Sequence, residues 1–313
     1  MGSTTTVHVS AASAGLLPLL RATPWQGHVA AVFQRSLLLS APDGRLVHLH
    51  TGPQLISPFS LCLESSWAGN PYAIPLSHGV SVRLIGTVLD IAGQLRLKLD
   101  SVAYYRSPSP STGAIDARVV QIAQDTLTRH GRPGGFESIP GMQTLVTAVQ
   151  QAIAAGDIER MCAGARGLIG LGPGLTPSGD DFLVGCLRGL WLMSHDEAAT
   201  RGVFACLGAR LLPDLKARTT QIGAEFIRYA LEGSFAEVLD HAAQALVAPA
   251  HPPTVTAATG RLLAQGHTSG ADTVRGLLTC IDALSADPVR YRSPVLEGAA
   301  AVAATSTTAN GPA

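Results

Sequence analysis

The apolar positions of this chain follow two different rhythms. From Gly27 to about Arg106 they come in short runs rich in Val, Leu and Ile. These are His28–Phe33, Ser36–Leu39, Leu46–His50, Ser60–Leu63, Ala73–Pro75, Val80–Ile85, Thr87–Asp90 and Leu95–Leu99. The segment LRLKLD, Leu95–Asp100, alternates apolar and polar residues with period two, as a strand with one buried face does. Turn-forming residues separate the runs at Pro42-Asp43-Gly44, Gly52-Pro53, Gly69-Asn70-Pro71 and Gly93. Short strands at this spacing predict a small antiparallel barrel or sandwich.

Past Ser107–Ala114, SPSPSTGA, which reads as a linker, the apolar period becomes helical. Helices are predicted over Ile115–Thr128, Met142–Ala155, Asp157–Ala165, Asp180–Ser194, Glu197–Leu212, Thr220–Leu231, Phe235–Leu246, Val255–Ala264 and Gly270–Leu284. Ahead of the strands, residues 1–14 read as a loose end and Gly15–Arg21 as a short helix stopped by Pro24. The expected organisation is an N-terminal extension over 1–26, a β domain over 27–106 and a linker over 107–114. A helical domain over 115–297 and a disordered Ala/Thr-rich tail over 298–313 follow. The fold class is α+β: an N-terminal antiparallel β barrel or sandwich followed by an all-helical C-terminal domain.

Composition narrows the function. The 313 residues are 46% hydrophobic, enough for a large core. The 22 basic residues balance 22 acidic ones, so no net field draws in nucleic acid or an anionic membrane. The five cysteines are widely spaced without a CxxC pair, which predicts buried thiols in a reducing compartment. The N-terminus lacks a basic leader region and no apolar run is long enough to span a bilayer. A cytoplasmic protein with neither a nucleic-acid nor a membrane partner is expected.

Candidate chemistry gathers in two stretches. The first is Gly167–Trp191, GLIGLGPGLTPSGDDFLVGCLRGLW, where glycines and prolines crowd the approach to a helix. Unpaired N–H groups and the positive dipole end of such a helix suit a small anion. Two caps are open there: Thr176 with Pro177 in the first helical position, or Ser178 with Asp181 three residues on. The second stretch is His267–Gly276, HTSGADTVRG. Ser178-Gly179-x-Asp181-x-x-x-Gly185 and Ser269-Gly270-x-Asp272-x-x-x-Gly276 share one pattern, S-G-x-D-x-x-x-G. In each, the last glycine lies one turn beyond the aspartate on the same face, where a backbone can pack closely on a neighbour. The repeat predicts a pair of helices whose N-termini converge on one pocket.

The expected ligand contacts are Gly172, Gly174, Thr176, Ser178, Gly179 and Asp180 on one wall and Thr268, Ser269 and Gly270 on the other. Arg218 and Thr219, just before another helix, form a candidate anion clamp, with Arg166 a weaker one. His267, Asp181 and Asp272 are the acid–base candidates. No cofactor is called for, although Asp180, Asp181 and Asp272 together are also a candidate Mg²⁺ set. No P-loop, dinucleotide fingerprint or G-x-S-x-G elbow is present.

The blocks GLGPGLTPSGDDFLVG, RTTQIGAEF and GHTSGADTVRGLL, in this order behind a β-rich half, resemble the AllH-like family, named for a subunit of oxamate carbamoyltransferase. The resemblance implies transfer of a carbamoyl group from carbamoyl phosphate to oxamate, giving oxalurate and phosphate, in allantoin and purine nitrogen breakdown. It implies partners as well: an FdrA-like subunit and a further carbamoyltransferase subunit. It carries over no catalytic residue. A non-catalytic scaffold or ligand-sensing subunit, and a metal-assisted amidohydrolase using the three aspartates, are the alternative readings.

Overall fold

The computed structural model describes residues 4–33, 36–51, 55–64, 76–110, 114–132, 135–194 and 197–285. The expected strand at Ala73–Pro75 and the expected tail over 298–313 lie outside these residues. The chain forms two compact units, residues 1–107 and 108–313.

The first unit is built of strands β1 (Thr5–Ser13), β2 (Trp25–Val32), β3 (Ser36–Ser40), β4 (Leu46–Thr51), β5 (Ser60–Leu63), β6 (Ser81–Ile85), β7 (Val88–Ile91), β8 (Leu95–Lys98) and β9 (Ala103–Tyr105). A short helix, α1 (Leu17–Arg21), follows β1. The strand order is β5-β4-β3-β2-β6-β7-β8-β1-β9, and β1 also pairs with β5. That extra pairing closes eight strands into a barrel and leaves β9 as an outer strand beside β1. Alternation fills the interior: Leu37 and Leu39 of β3, Val82 and Leu84 of β6, Leu89 and Ile91 of β7 and Leu95 and Leu97 of β8 are buried. The expected half-buried strand at LRLKLD is β8, where Leu95 and Leu97 point in and Arg96 points out.

Two expectations are corrected here. The barrel is mixed rather than antiparallel, because β1 runs parallel to β8 and β9, and β4 parallel to β5. Residues 1–14, expected as a loose end, carry β1, the strand that closes the barrel. Its sequence, TTVHVSAAS, offers only Val7 and Val9 as an alternating pair. Its stability comes from pairing on both sides, with Thr5–His8 against Leu95–Lys98 and Val9–Ala12 against Leu61–Leu63. Such non-local pairing leaves a weak local signal.

The second unit is helical: α2 (Ala117–His130), α3 (Met142–Ala155), α4 (Ile158–Leu168), α5 (Ser178–Met193), α6 (Glu197–Leu211), α7 (Leu215–Arg218), α8 (Gln221–Leu231), α9 (Glu237–Gln244), α10 (Pro252–Leu263) and α11 (Ser269–Ser285). Asp116, Asp157 and Thr220 cap α2, α4 and α8 with side-chain oxygens. Every residue of α5 from Ser178 to Leu192 is buried, so α5 is the central helix of its unit. Trp191 on α5 packs against Phe204 and Phe235 and donates its indole N–H to the Pro108 carbonyl at 2.9 Å. None of the five cysteines forms a disulfide among the described residues.

Candidate functional site

Helices α5 and α11 lie backbone against backbone. A Cβ on Gly185 would stand 2.1 Å from the Thr273 carbonyl oxygen, and one on Gly276 only 1.9 Å from that of Phe182. Only glycine permits this approach. The thiol of Cys186 donates to the Gly276 carbonyl at 3.3 Å across the same seam. The last glycine of each S-G-x-D-x-x-x-G pattern therefore packs on the other helix.

The first glycine of each pattern has an equivalent role too. A Cβ on Gly179 would stand 2.0 Å from the Leu168 carbonyl oxygen at the end of α4, and one on Gly270 2.0 Å from that of Leu262 near the end of α10. The Gly179 N–H donates to Leu171 and the Gly270 N–H to Gln265, each carbonyl lying three residues beyond the packed one. The α4–α5 and α10–α11 corners thus repeat one geometry. The glycine-rich stretch is what the first corner carries in addition.

That stretch is held by Asp180. Its carboxylate accepts the Gly170 N–H at 2.7 Å and the Thr219 hydroxyl, and Gly223 on α8 leaves room for it. Gly170 has φ +78° and lies against the Arg218 carbonyl, where a Cβ would be 1.9 Å from the oxygen. No side chain fits there. The Thr220 hydroxyl donates to the Leu175 carbonyl and completes the tie between the loop and the α7–α8 joint. Both expected caps are corrected: Pro177 is the N-cap of α5, without a side-chain hydrogen bond, and Ser178 is already helical.

With the helices seated this way, their N-termini meet. Thr176 Oγ1 and Ser269 Oγ are 2.9 Å apart. The Ser269 and Thr176 hydroxyls face the carboxyl of Asp181, while the Ser178 hydroxyl faces that of Asp272. The serine of each pattern thus addresses the aspartate of the other. Both aspartates are buried, and Oδ2 of each has no hydrogen-bond partner among the described residues.

The two carboxyls differ in what else they meet. Burial raises Asp181 well above the usual carboxylate range, the hydroxyls offset this only in part, and nearby Asp272 and Asp180 push it further up. Burial also raises Asp272, but Ser178, the Arg275 guanidinium and the Phe136 N–H pull it back. Arg275 Nη1 lies 3.2 Å and the Phe136 N–H nitrogen 3.3 Å from Asp272 Oδ1. Asp181 is therefore the harder of the two to ionise and Asp272 the easier.

The structure brings Thr176, Ser178, Gly179, Asp181, Ser269, Gly270 and Asp272 together. Thr268 adjoins them, with its carbonyl accepting the Asp272 N–H at 3.0 Å. Gly172 packs on Ser178, whereas Gly174 has open space around it. Asp180 and Thr219 are bound to each other and hold the loop. The Arg218 side chain turns to Asp214 at 3.3 Å, and Arg166 donates to the Arg210 carbonyl at 2.7 Å. His267 is exposed, with Nδ1 3.4 Å from Arg132. Among the described residues no group of three or more His, Cys, Asp and Glu is placed to hold a metal ion. Nor is any helix among them long and apolar enough to cross a membrane. Arg275 and Phe136 escaped the sequence reading. Arg275 lies three residues after Asp272, on the adjoining helical face, which was its one signal. Phe136, from a 3-10 turn over Gly135–Ser138, left none.

A closed mixed barrel, then a helical unit with two quasi-equivalent helix starts meeting at paired buried carboxyls, defines an α+β protein with a buried polar centre in its helical unit. Residues 168–281 match the model of the oxamate carbamoyltransferase subunit AllH, and residues 7–104 that of the AllH family N-terminal domain. The chain belongs to the AllH family. No solved structure matches it.

Proposed function

We propose that the chain is a subunit of an oxamate-type carbamoyltransferase and that its paired helix starts hold the reacting groups. The reaction joins the oxamate amide nitrogen to the carbamoyl carbon, breaks the bond from that carbon to the phosphate oxygen and releases a proton from the nitrogen. The products are oxalurate and phosphate. The observation that carries this reading is the meeting of the α5 and α11 N-termini at Asp181 and Asp272, each with an unpartnered Oδ2. Helix N-termini favour anionic groups, and a neutral Asp181 does not repel them. As a buried acid it is suited to donate to the carbamoyl oxygen or the leaving phosphate. Asp272, steadied by Arg275, is suited to accept the nitrogen proton.

An FdrA-like subunit and a further subunit are the partners this reading requires. The test is oxalurate formation from carbamoyl phosphate and oxamate by the reconstituted subunits. Asp272→Asn in this chain is expected to lower the rate by about 10²- to 10⁴-fold, the usual contribution of a general base. Full activity with Asp272→Asn would sink the catalytic role and leave a scaffold role, and full activity without the chain altogether would sink the proposal outright.

A further inference from the structure

The barrel unit carries a pair of histidines that the fold itself does not use. Strand β4 alternates, and its Val47 and Leu49 pair with Leu39 and Leu37 and share their interior face. His48 and His50 therefore stand together on the outer face. Leu38 of β3, beside His48, is buried, and the Phe59 ring lies 6.4 Å from that of His48, so this part of the outer face is covered. His50 is only 2% exposed, and neither of its ring nitrogens has a hydrogen-bond partner among the described residues. A buried imidazole left unpaired costs free energy, because water satisfies both nitrogens in the unfolded chain. His48 is half-buried, so solvent reaches the pair from its side.

The spacing of the two rings narrows what can pair them. Their centroids are 5.3 Å apart. Two imidazoles on one tetrahedral ion, with nitrogens about 2.0–2.1 Å from it, hold their centroids about 5 Å apart. Two imidazoles sharing one water at the same angle, with nitrogens about 2.8–3.0 Å from its oxygen, hold theirs about 6–6.5 Å apart. The observed spacing is that of the ion. Burial lowers both imidazoles, His48 to about 4 with His50 adding to the effect, so at neutral pH each ring is neutral and keeps a lone pair for a ligand. The parallel register of β5 sets Ser60 beside His48 and Cys62 beside His50. Imidazoles flanked by a hydroxyl and a thiol suit Zn²⁺ and its neighbours, whereas Mg²⁺ and Ca²⁺ take oxygen ligands, chiefly carboxylates, carbonyls and water.

We infer that His48 and His50 bind one transition-metal ion of the Zn²⁺ class on the outer face of the barrel. Two protein ligands, and no three-ligand group, are what the described residues provide. The ion then keeps two of its four positions for water or for a donor carried by a ligand or partner. Both ligands come from β4, so the ion adds no cross-link between strands. It pairs the buried imidazoles and presents an open coordination site. The inference uses no residue of the helical unit and does not rest on the proposed function.

Calorimetric titration of the untagged full chain, stripped with chelator and dialysed, tests this with Zn²⁺ and with Mg²⁺. Zn²⁺ is expected to bind at one site per chain and Mg²⁺ not to bind. His48→Gln and His50→Leu are each expected to weaken Zn²⁺ binding at least about tenfold, as the loss of one of two ligands should. His28→Gln is the control. His28 and His78 form another histidine pair, edge to face with centroids 6.1 Å apart, and its loss should leave the affinity unchanged. Nitrogen-15 correlation spectra of the imidazoles give a second readout. Zn²⁺ should move the ring signals of two of the ten histidines, the two that disappear in His48→Gln and His50→Leu. Thermal melts check folding, and His48→Gln, at the half-buried position, keeps the test alive if His50→Leu does not fold. Absence of saturable Zn²⁺ binding, wild-type affinity in His48→Gln, or loss of binding in His28→Gln overturns the assignment. The unpaired nitrogens of His50 are then a structural cost alone.

Discussion

Replacing Gly276 by alanine should destabilise the helical unit, although alanine is the better helix former. The added Cβ would stand 1.9 Å from the Phe182 carbonyl oxygen and 3.0 Å from the Cys186 nitrogen. Ordinary contact begins near 3.4 Å, so α5 and α11 must part locally by about 1.5 Å. Both contacted atoms are backbone, and no rotamer change relieves the clash. Overpacking of a core typically costs about 1–3 kcal/mol, and a rigid backbone puts this site at the upper end. A seam that opens by even about 0.5–1 Å also forfeits a quarter to a half of each dispersion well along it. Helix propensity returns about 1 kcal/mol. The net loss is about 2 kcal/mol, which in a unit of this size lowers Tm by about 4–8 °C. Gly260 on α10 is the control, since a Cβ there meets nothing within 4 Å. Gly260→Ala should raise Tm by about 2–4 °C through propensity alone. Circular-dichroism melts at one pH compare the two. If Gly276→Ala melts at or above the wild-type temperature, the close seam is not there, and the meeting of the two helix starts loses its support.

Asp181→Asn should change how stability depends on pH. The folded carboxyl is raised above its unfolded value, so its stabilising contribution is complete below the ordinary pKa of 3.8 and is lost as pH rises through the raised value. The Tm of Asp181→Asn minus that of the wild type should therefore grow with pH above 3.8 and then level off. A flat difference would mean that Asp181 ionises like an exposed carboxyl. At the far end of α5, Arg188 and Asp240 form an ion pair at 2.5 Å with both side chains fully buried. Asp240→Ala should cost about 3–5 kcal/mol in urea unfolding, because it strands a guanidinium in the core. A loss under about 1 kcal/mol would show that the site rearranges or admits water.

Much of this could be read along the chain. Met142–Ala155 is predicted and found with the same ends, because Gly141 and Gly156 bound a clear apolar period. The pairing of α5 with α11 was legible from the S-G-x-D-x-x-x-G repeat, since a glycine one turn beyond an aspartate at a helix start lets one backbone pack closely on another. The closing strand β1 was not legible. Its residues are small and polar, and its partners lie as far along the chain as Leu95–Lys98. The roles of the individual candidates were not legible either. Arg218 turns to Asp214 and His267 to Arg132, and a motif cannot say which neighbour a long side chain will meet.

Asp180 and Asp181 show where the division falls. The sequence alone determined that two carboxylates follow the glycine-rich stretch in the first turn of a helix, because capping, periodicity and glycine sterics act over a few residues. Their fates were decided by tertiary structure. Neighbours on a helix point about 100° apart. Asp180 therefore reaches Gly170 and Thr219 and ties down the loop, while Asp181 faces Ser269 across the seam. The same holds for Asp181 and Asp272, which occupy equivalent places in one pattern. Only the packing of Arg275 and of Phe136 beside Asp272 makes them unequal. A carboxyl's charge depends on burial and on the cations and N–H groups within a few ångströms, and those groups are assembled by the fold.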